Sequence, residues 1–186
     1  MQLAVTGELF FFNLEKMESA MRLSQAVQLL ARRLRLRASR VSIIANRLQH
    51  AGRLPLADAK RTPPEISAEE FALLLIAVLA ETGIGNAAER AVEYADVSSR
   101  EGFRLHDAVA AIIRGEAQPG DLIVREGGVT GTVGGLHTTF GNPAADGFAR
   151  FATGPTLAAI AAEWGGMSPA QADAVAAINR IHNGNL

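Results

Sequence analysis

Five side chains between positions 39 and 47 have the types and spacing to do chemistry together: Ser39, Ser42, Ile43, Asn46 and Arg47. They recur at steps of three and four, so on a helix they share one side. That side offers two hydroxyls, an amide, a guanidinium and a methyl-bearing apolar group. In a major groove, asparagine can pair bidentately with adenine and arginine with guanine, and an aliphatic group can touch the thymine methyl. His50 falls on the same side. Around them stand Arg32, Arg33, Arg35, Arg37, Arg40 and Arg53. Guanidiniums so placed suit phosphate contacts, which set affinity and salt dependence without reading base sequence.

The charge distribution supports a polyanion as partner. The chain has 186 residues and a net charge of −1, yet that neutrality is assembled from opposed blocks. Residues 20–61 hold ten cations against one acid, a balance of +9, while residues 62–186 hold seven against fifteen, a balance of −8. Such asymmetry suggests a polyanion partner for the basic block. Its lack of Phe, Tyr and Trp argues against RNA, which is usually read by stacking on exposed aromatics. The alternative is electrostatic docking, on the acidic remainder of the same chain or on another subunit.

Other chemistry finds little support. Cysteine is absent, which removes disulfides, thiolate metal ligands and a thiol nucleophile, and fits a reducing cytoplasm. The four histidines, His50, His106, His137 and His182, lack the close helical spacing of a metal pair. The stretch GGVTGTVGGLHTTFGN lacks the Gly-Lys-Ser/Thr ending of a phosphate loop. It reads as turns and a hairpin, with a small effector pocket at His137, Thr138 and Thr139 as the other possibility. No Gly-x-Ser-x-Gly elbow and no defensible carboxylate pair is present, so the expectation is a non-enzyme without cofactor or metal. No apolar run reaches the ~20 residues of a membrane span, and no secretory leader is visible.

The elements that position these residues follow from periodicity and caps. Ser24 predicts a helix from Gln25, with Ala26, Val27, Leu30, Ala31 and Leu34 on its inner side. A second helix is expected near Ser39, with Val41, Ile44, Ala45 and Leu48 inward and Gly52 as its left-handed cap. Residues 53–66 carry three prolines and read as a linker. Ser67 and Glu70 form a capping box that opens a helix apolar all round, over 67–82. A monomer core or a subunit interface would explain it equally, and it is the candidate self-association surface. Helices are also expected over 86–96 and 104–114, from Pro155 to Trp164, and from Pro169 behind a Ser168–Gln171 box. Residues 121–125 read as a strand, with short strands in the glycine-rich stretch that follows. Residues 1–19 read as an arm or extension.

The run QAVQLLARRLRLRASRVSIIANRL (25–48) resembles the helix-turn-helix of bacterial and phage DNA-binding proteins, over about 35 residues. Ala31 stands where the two helices of that family cross closely, and Leu30, Leu34, Leu36, Val41 and Ile44 where they lock together. Residues 46–55 are similar to the end of a recognition helix leading toward a wing. The turn position usually held by glycine is Arg35, at a cost of about 1 kcal/mol if the left-handed conformation is kept. The resemblance implies a mainly α chain: a winged helix-turn-helix over 20–62, then a 63–186 oligomerisation or partner-binding unit of α+β type with a smaller β part. It implies a cytoplasmic, sequence-specific regulator binding double-stranded DNA as a homodimer or larger oligomer. The alternatives are a small-terminase-like DNA-packaging subunit, and an interaction or virion protein that docks through the basic hairpin.

Overall fold

The computed structural model describes residues 20–57 and 64–182. The expected arm at 1–19 lies outside the described residues, as do 58–63 of the linker. The described chain begins extended. β1 (Met21–Arg22) pairs antiparallel with β2 (Glu65–Ile66), and the Leu23 amide donates to the Pro64 carbonyl at 2.9 Å. α1 (Leu23–Arg33) therefore starts ahead of the helix that a Ser24 cap predicts. Strand pairing holds Arg22 extended, and Gln25 Oε1 accepts the Arg22 amide at 3.4 Å.

α1 ends in a turn that closes with two reverse hydrogen bonds. The Leu36 amide donates to the Ala31 carbonyl at 2.8 Å and the Arg35 amide to Arg32 at 3.3 Å. This pattern needs a left-handed residue between them, and Arg35 supplies it at φ 55°. α2 (Ala38–His50) follows, burying Val41, Ile44, Ala45 and Leu48 as its periodicity predicts. It ends in the same way. Gly52 has φ 68°, and the amides of Arg53 and Gly52 donate to Leu48 and Gln49 at 2.8 and 2.9 Å.

α3 (Ala68–Ala80) opens on the expected box: Ser67 Oγ accepts the Glu70 amide at 3.2 Å, and Glu70 Oε2 accepts the Ser67 amide at 2.8 Å. Its apolar circumference is covered by this chain itself. α2, α4 (Ala87–Asp96), α5 (Leu105–Ile113) and the sheet described below pack around it. Phe71 and every residue from Leu74 to Ala80 are buried. The helix is thus the central core element, and the expected subunit contact through 67–82 is replaced by intramolecular packing.

Between α5 and the C-terminal helices lie β3 (Pro119–Arg125), β4 (Gly128–Val133), β5 (Leu136–Gly141) and β6 (Ala149–Ala152), an antiparallel sheet in the order β5-β4-β3-β6. One face contributes Leu122, Val124, Val129, Phe140 and Ala152 to the core. This corrects the mainly α reading. Of the described residues 54% are helical and 19% in strands, across seven helices and two antiparallel sheets, an α+β mixture. The segment expected to form a wing falls largely on residues 58–63, outside the described residues. Beyond it, β2 pairs with β1, the strand ahead of α1.

α6 (Gly154–Trp164) and α7 (Pro169–His182) complete the chain. Thr153 caps α6 and Ser168 precedes α7, its own amide accepted by Gln171 at 2.9 Å. Trp164 at the end of α6 packs on Phe71 with ring centroids 4.7 Å apart. One buried cluster runs from Leu23 to Trp164 and takes in residues on both sides of position 62.

Candidate nucleic-acid interface

The rotation of α2 is set by its buried side. Val41, Ile44 and Leu48 are fully enclosed and Ala45 almost so. The opposite side is therefore turned outward. Ser39, Asn46, Arg47 and His50 are exposed, Ser42 is half-buried, and Ile43 keeps 40% of its surface open to solvent. The five side chains singled out by spacing do share one outward side, and no described element covers it. The helical hairpin that presents them is held by Leu30, Ala31, Val41 and Ile44 inside and by the Arg35 turn at its tip.

The surrounding arginines divide into two sets. Arg35, Arg37 and Arg53 are exposed and make no ion pair with any described residue. Arg32, Arg33 and Arg40 are engaged within the chain. Glu163, at the end of α6, pairs with Arg32 and accepts from Arg33 Nε at 2.6 Å, and its side chain is only 8% exposed. Arg33 also pairs with Asp173 of α7 and donates to the Pro169 carbonyl at 3.1 Å. Burial works against the Arg33 cation, but the bonds to Asp173 and Glu163 outweigh it and hold its pKa above the ordinary value.

Arg40 reaches across to α3. Its Nε and Nη2 donate to Glu81 Oε2 at 3.1 and 2.7 Å. Arg150 of β6 donates to the same oxygen at 3.2 Å and to the Val78 carbonyl at 2.8 Å. Glu81 is fully buried, and its Oε1 lacks a hydrogen-bond partner among the described residues. Arg40 and Arg150 are the partners that make this burial tolerable, because an unpaired buried charge is far costlier than the pair. Of the six arginines expected at phosphates, Arg32, Arg33 and Arg40 thus carry ion pairs within the chain; Arg33 is mostly buried, while the Arg32 and Arg40 side chains keep 50% and 42% of their surface exposed.

No family model, curated protein or solved structure matches the chain. The reading of this face rests on its own geometry. Among the described residues no cluster of three or more His, Asp or Glu could hold a metal ion. His137, Thr138 and Thr139 lie on β5, at an edge of the sheet, where the glycine-rich stretch forms a hairpin. Gly134 and Gly135 both take positive φ at its tip, as a two-residue hairpin turn demands. Among the described residues no helix is long and apolar enough to cross a membrane.

Sequence reasoning named the arginines but missed the acids that hold half of them. Glu81, Glu163 and Asp173 lie 41, 130 and 140 residues from their partners. One signal was present: an acid directly after the apolar α3 must either leave the core or find a cation there.

Proposed function

We propose that this chain binds double-stranded DNA in a sequence-dependent way through the outward side of α2, as a transcriptional regulator. The observation that carries this reading is the combination on one helix side, uncovered among the described residues, of Ser39, Ser42, Ile43, Asn46 and Arg47, flanked by Arg35, Arg37 and Arg53, which make no ion pair with any described residue. Asn46 and Arg47 supply bidentate base contacts, Ser39 and Ser42 single hydrogen bonds, and Ile43 an apolar contact. The three free guanidiniums neutralise phosphates. A cytoplasmic location goes with this reading, and the absence of cysteine agrees with it.

The competing reading is a docking hairpin, and one observation favours it in part. Arg32, Arg33 and Arg40 do dock on acids of this same chain. Binding to genomic fragments, followed by protection mapping, separates the two. A DNA-binding chain protects a defined site, and Asn46→Ala lowers affinity for that site by about 1–3 kcal/mol while leaving random duplex nearly unchanged. A docking hairpin shows no salt-dependent DNA binding, and that result would overturn the proposal.

A further inference from the structure

α7 is apolar on two opposite sides, and among the described residues only one of them is packed against the chain. Ala172 and Asn179 are buried, and Val175 and Ala176 half-buried, on the side that packs against α6. The far side carries Ala170, Ala174, Ala177, Ile178 and Ile181, all exposed. Ile178 and Ile181 leave 55% and 61% of their surface in water. At about 100° per residue these five fall within one stripe roughly 100° wide. A helix with a second apolar side has a second packing partner.

The charges bordering the stripe identify the partner. Asp173 and Arg180 lie seven residues apart on one border, both exposed. Gln171 and His182 lie on the other. When two antiparallel helices pair about a two-fold axis, each border meets the same border of its mate. An axis midway between residues 176 and 177 sets Asp173 opposite Arg180 of the second copy, twice. The same axis sets Gln171 opposite the second copy's His182. Asp173 uses Oδ1 for Arg33 and remains 65% exposed, so it has room for a second cation. Among the described residues Arg180 has no ion pair.

We propose that α7 is the face by which two copies of this chain associate, antiparallel, with Ile178 and Ile181 as apolar anchors and Asp173–Arg180 pairs fixing the register. The contact is small. Fourteen residues of helix extend roughly 21 Å, so the pair buries less than a standard ~1,600 Å² interface and associates at about micromolar concentration. The inference does not require DNA binding, because its measurements are of mass and cross-linking.

The full chain contains no cysteine, so a single introduced thiol reports its own neighbour. In the proposed register Ala177 lies beside the axis and meets Ala177 of its mate. Ala170 stands about 20 Å along the axis from its counterpart. Under mild oxidation Ala177→Cys should form a covalent dimer, and Ala170→Cys should not. Sedimentation from about 1 to 200 μM should show wild-type mass rising from 19.6 kDa toward twice that value, across the micromolar range. Ile178→Asp should remain monomeric with unchanged helical circular dichroism, and Arg180→Asp should weaken association at least several-fold. A wild-type chain monomeric throughout, cross-linking at both positions, or cross-linking at neither would overturn the proposal.

Discussion

Arg35 is the residue at which the fold and the proposed function pull apart. Four helices end in the same double reverse hydrogen bond, at Arg35, Gly52, Gly115 and Gly166. Three of these turns use glycine, and Arg35 is the one described non-glycine residue at positive φ. A β-carbon in that conformation costs roughly 1–2 kcal/mol. The structure keeps the left-handed conformation at Arg35, between α1 and α2. Arg35→Gly should raise stability by about 1 kcal/mol in urea unfolding. If the exposed guanidinium serves phosphate, the same substitution weakens every duplex about equally. Arg33→Ala should behave in the opposite manner. It removes a partner from the buried Glu163 and from Asp173, so it lowers stability by about 1–3 kcal/mol with a minor effect on DNA.

Elements were legible where a local rule decides them. The Ser67–Glu70 box, the Ser168–Gln171 box and Gly52 are short-range chemistry, and each stands where spacing puts it. The sheet was harder to read because its strands are rich in glycine and β6 is four residues, ARFA, without a β-branched side chain. Those glycines answer to neighbours across the sheet rather than along the chain. A β-carbon on Gly131 would lie 2.4 Å from Leu122 Cδ2 and 2.8 Å from the Asp121 carbonyl oxygen. Gly131→Ala must push β3 and β4 apart, and should cost about 1–3 kcal/mol by overpacking, measured as a lower unfolding midpoint. Between helices, Glu69 at the start of α3 pairs with Arg114 at the end of α5 at 2.5 Å. Hydrogen bonding at the start of α3, chiefly to its own backbone amide, and Arg114 hold the Glu69 carboxyl below its usual pKa, against a smaller effect of burial. A depressed carboxylate stabilises the fold above its unfolded pKa of about 4.3, and that contribution is lost as pH falls through the lower folded value. Stability of Glu69→Gln should therefore fall less than wild type between about pH 5 and pH 3.

For the whole molecule, the opposed charge blocks serve each other in part and, under the proposed function, a duplex in part, and composition alone does not apportion them. Part of the +9 block is neutralised at home, by Glu81 beneath α2 and by Glu163 and Asp173 beside α1. These pairs join the helical hairpin to α3, α6 and α7, which is why one continuous core spans a chain whose composition suggests two halves. Of the seven cations that remain, Arg35, Arg37 and Arg53, with Arg47 on the α2 side, are exposed and make no ion pair among the described residues. This division has a measurable consequence. Each phosphate neutralised contributes about −0.9 to the slope of log affinity against log salt. Three or four free arginines give a slope of about −3 to −4 per protomer, whereas all six flanking arginines with Arg47 would give about −6. Fluorescence anisotropy on a labelled duplex between about 50 and 200 mM salt spans the steep part of that dependence. A slope near −6 would mean that Glu81, Glu163 and Asp173 release their arginines to DNA. In that case Glu163→Gln would strengthen binding. With the pairs intact, it leaves the slope unchanged and lowers stability alone.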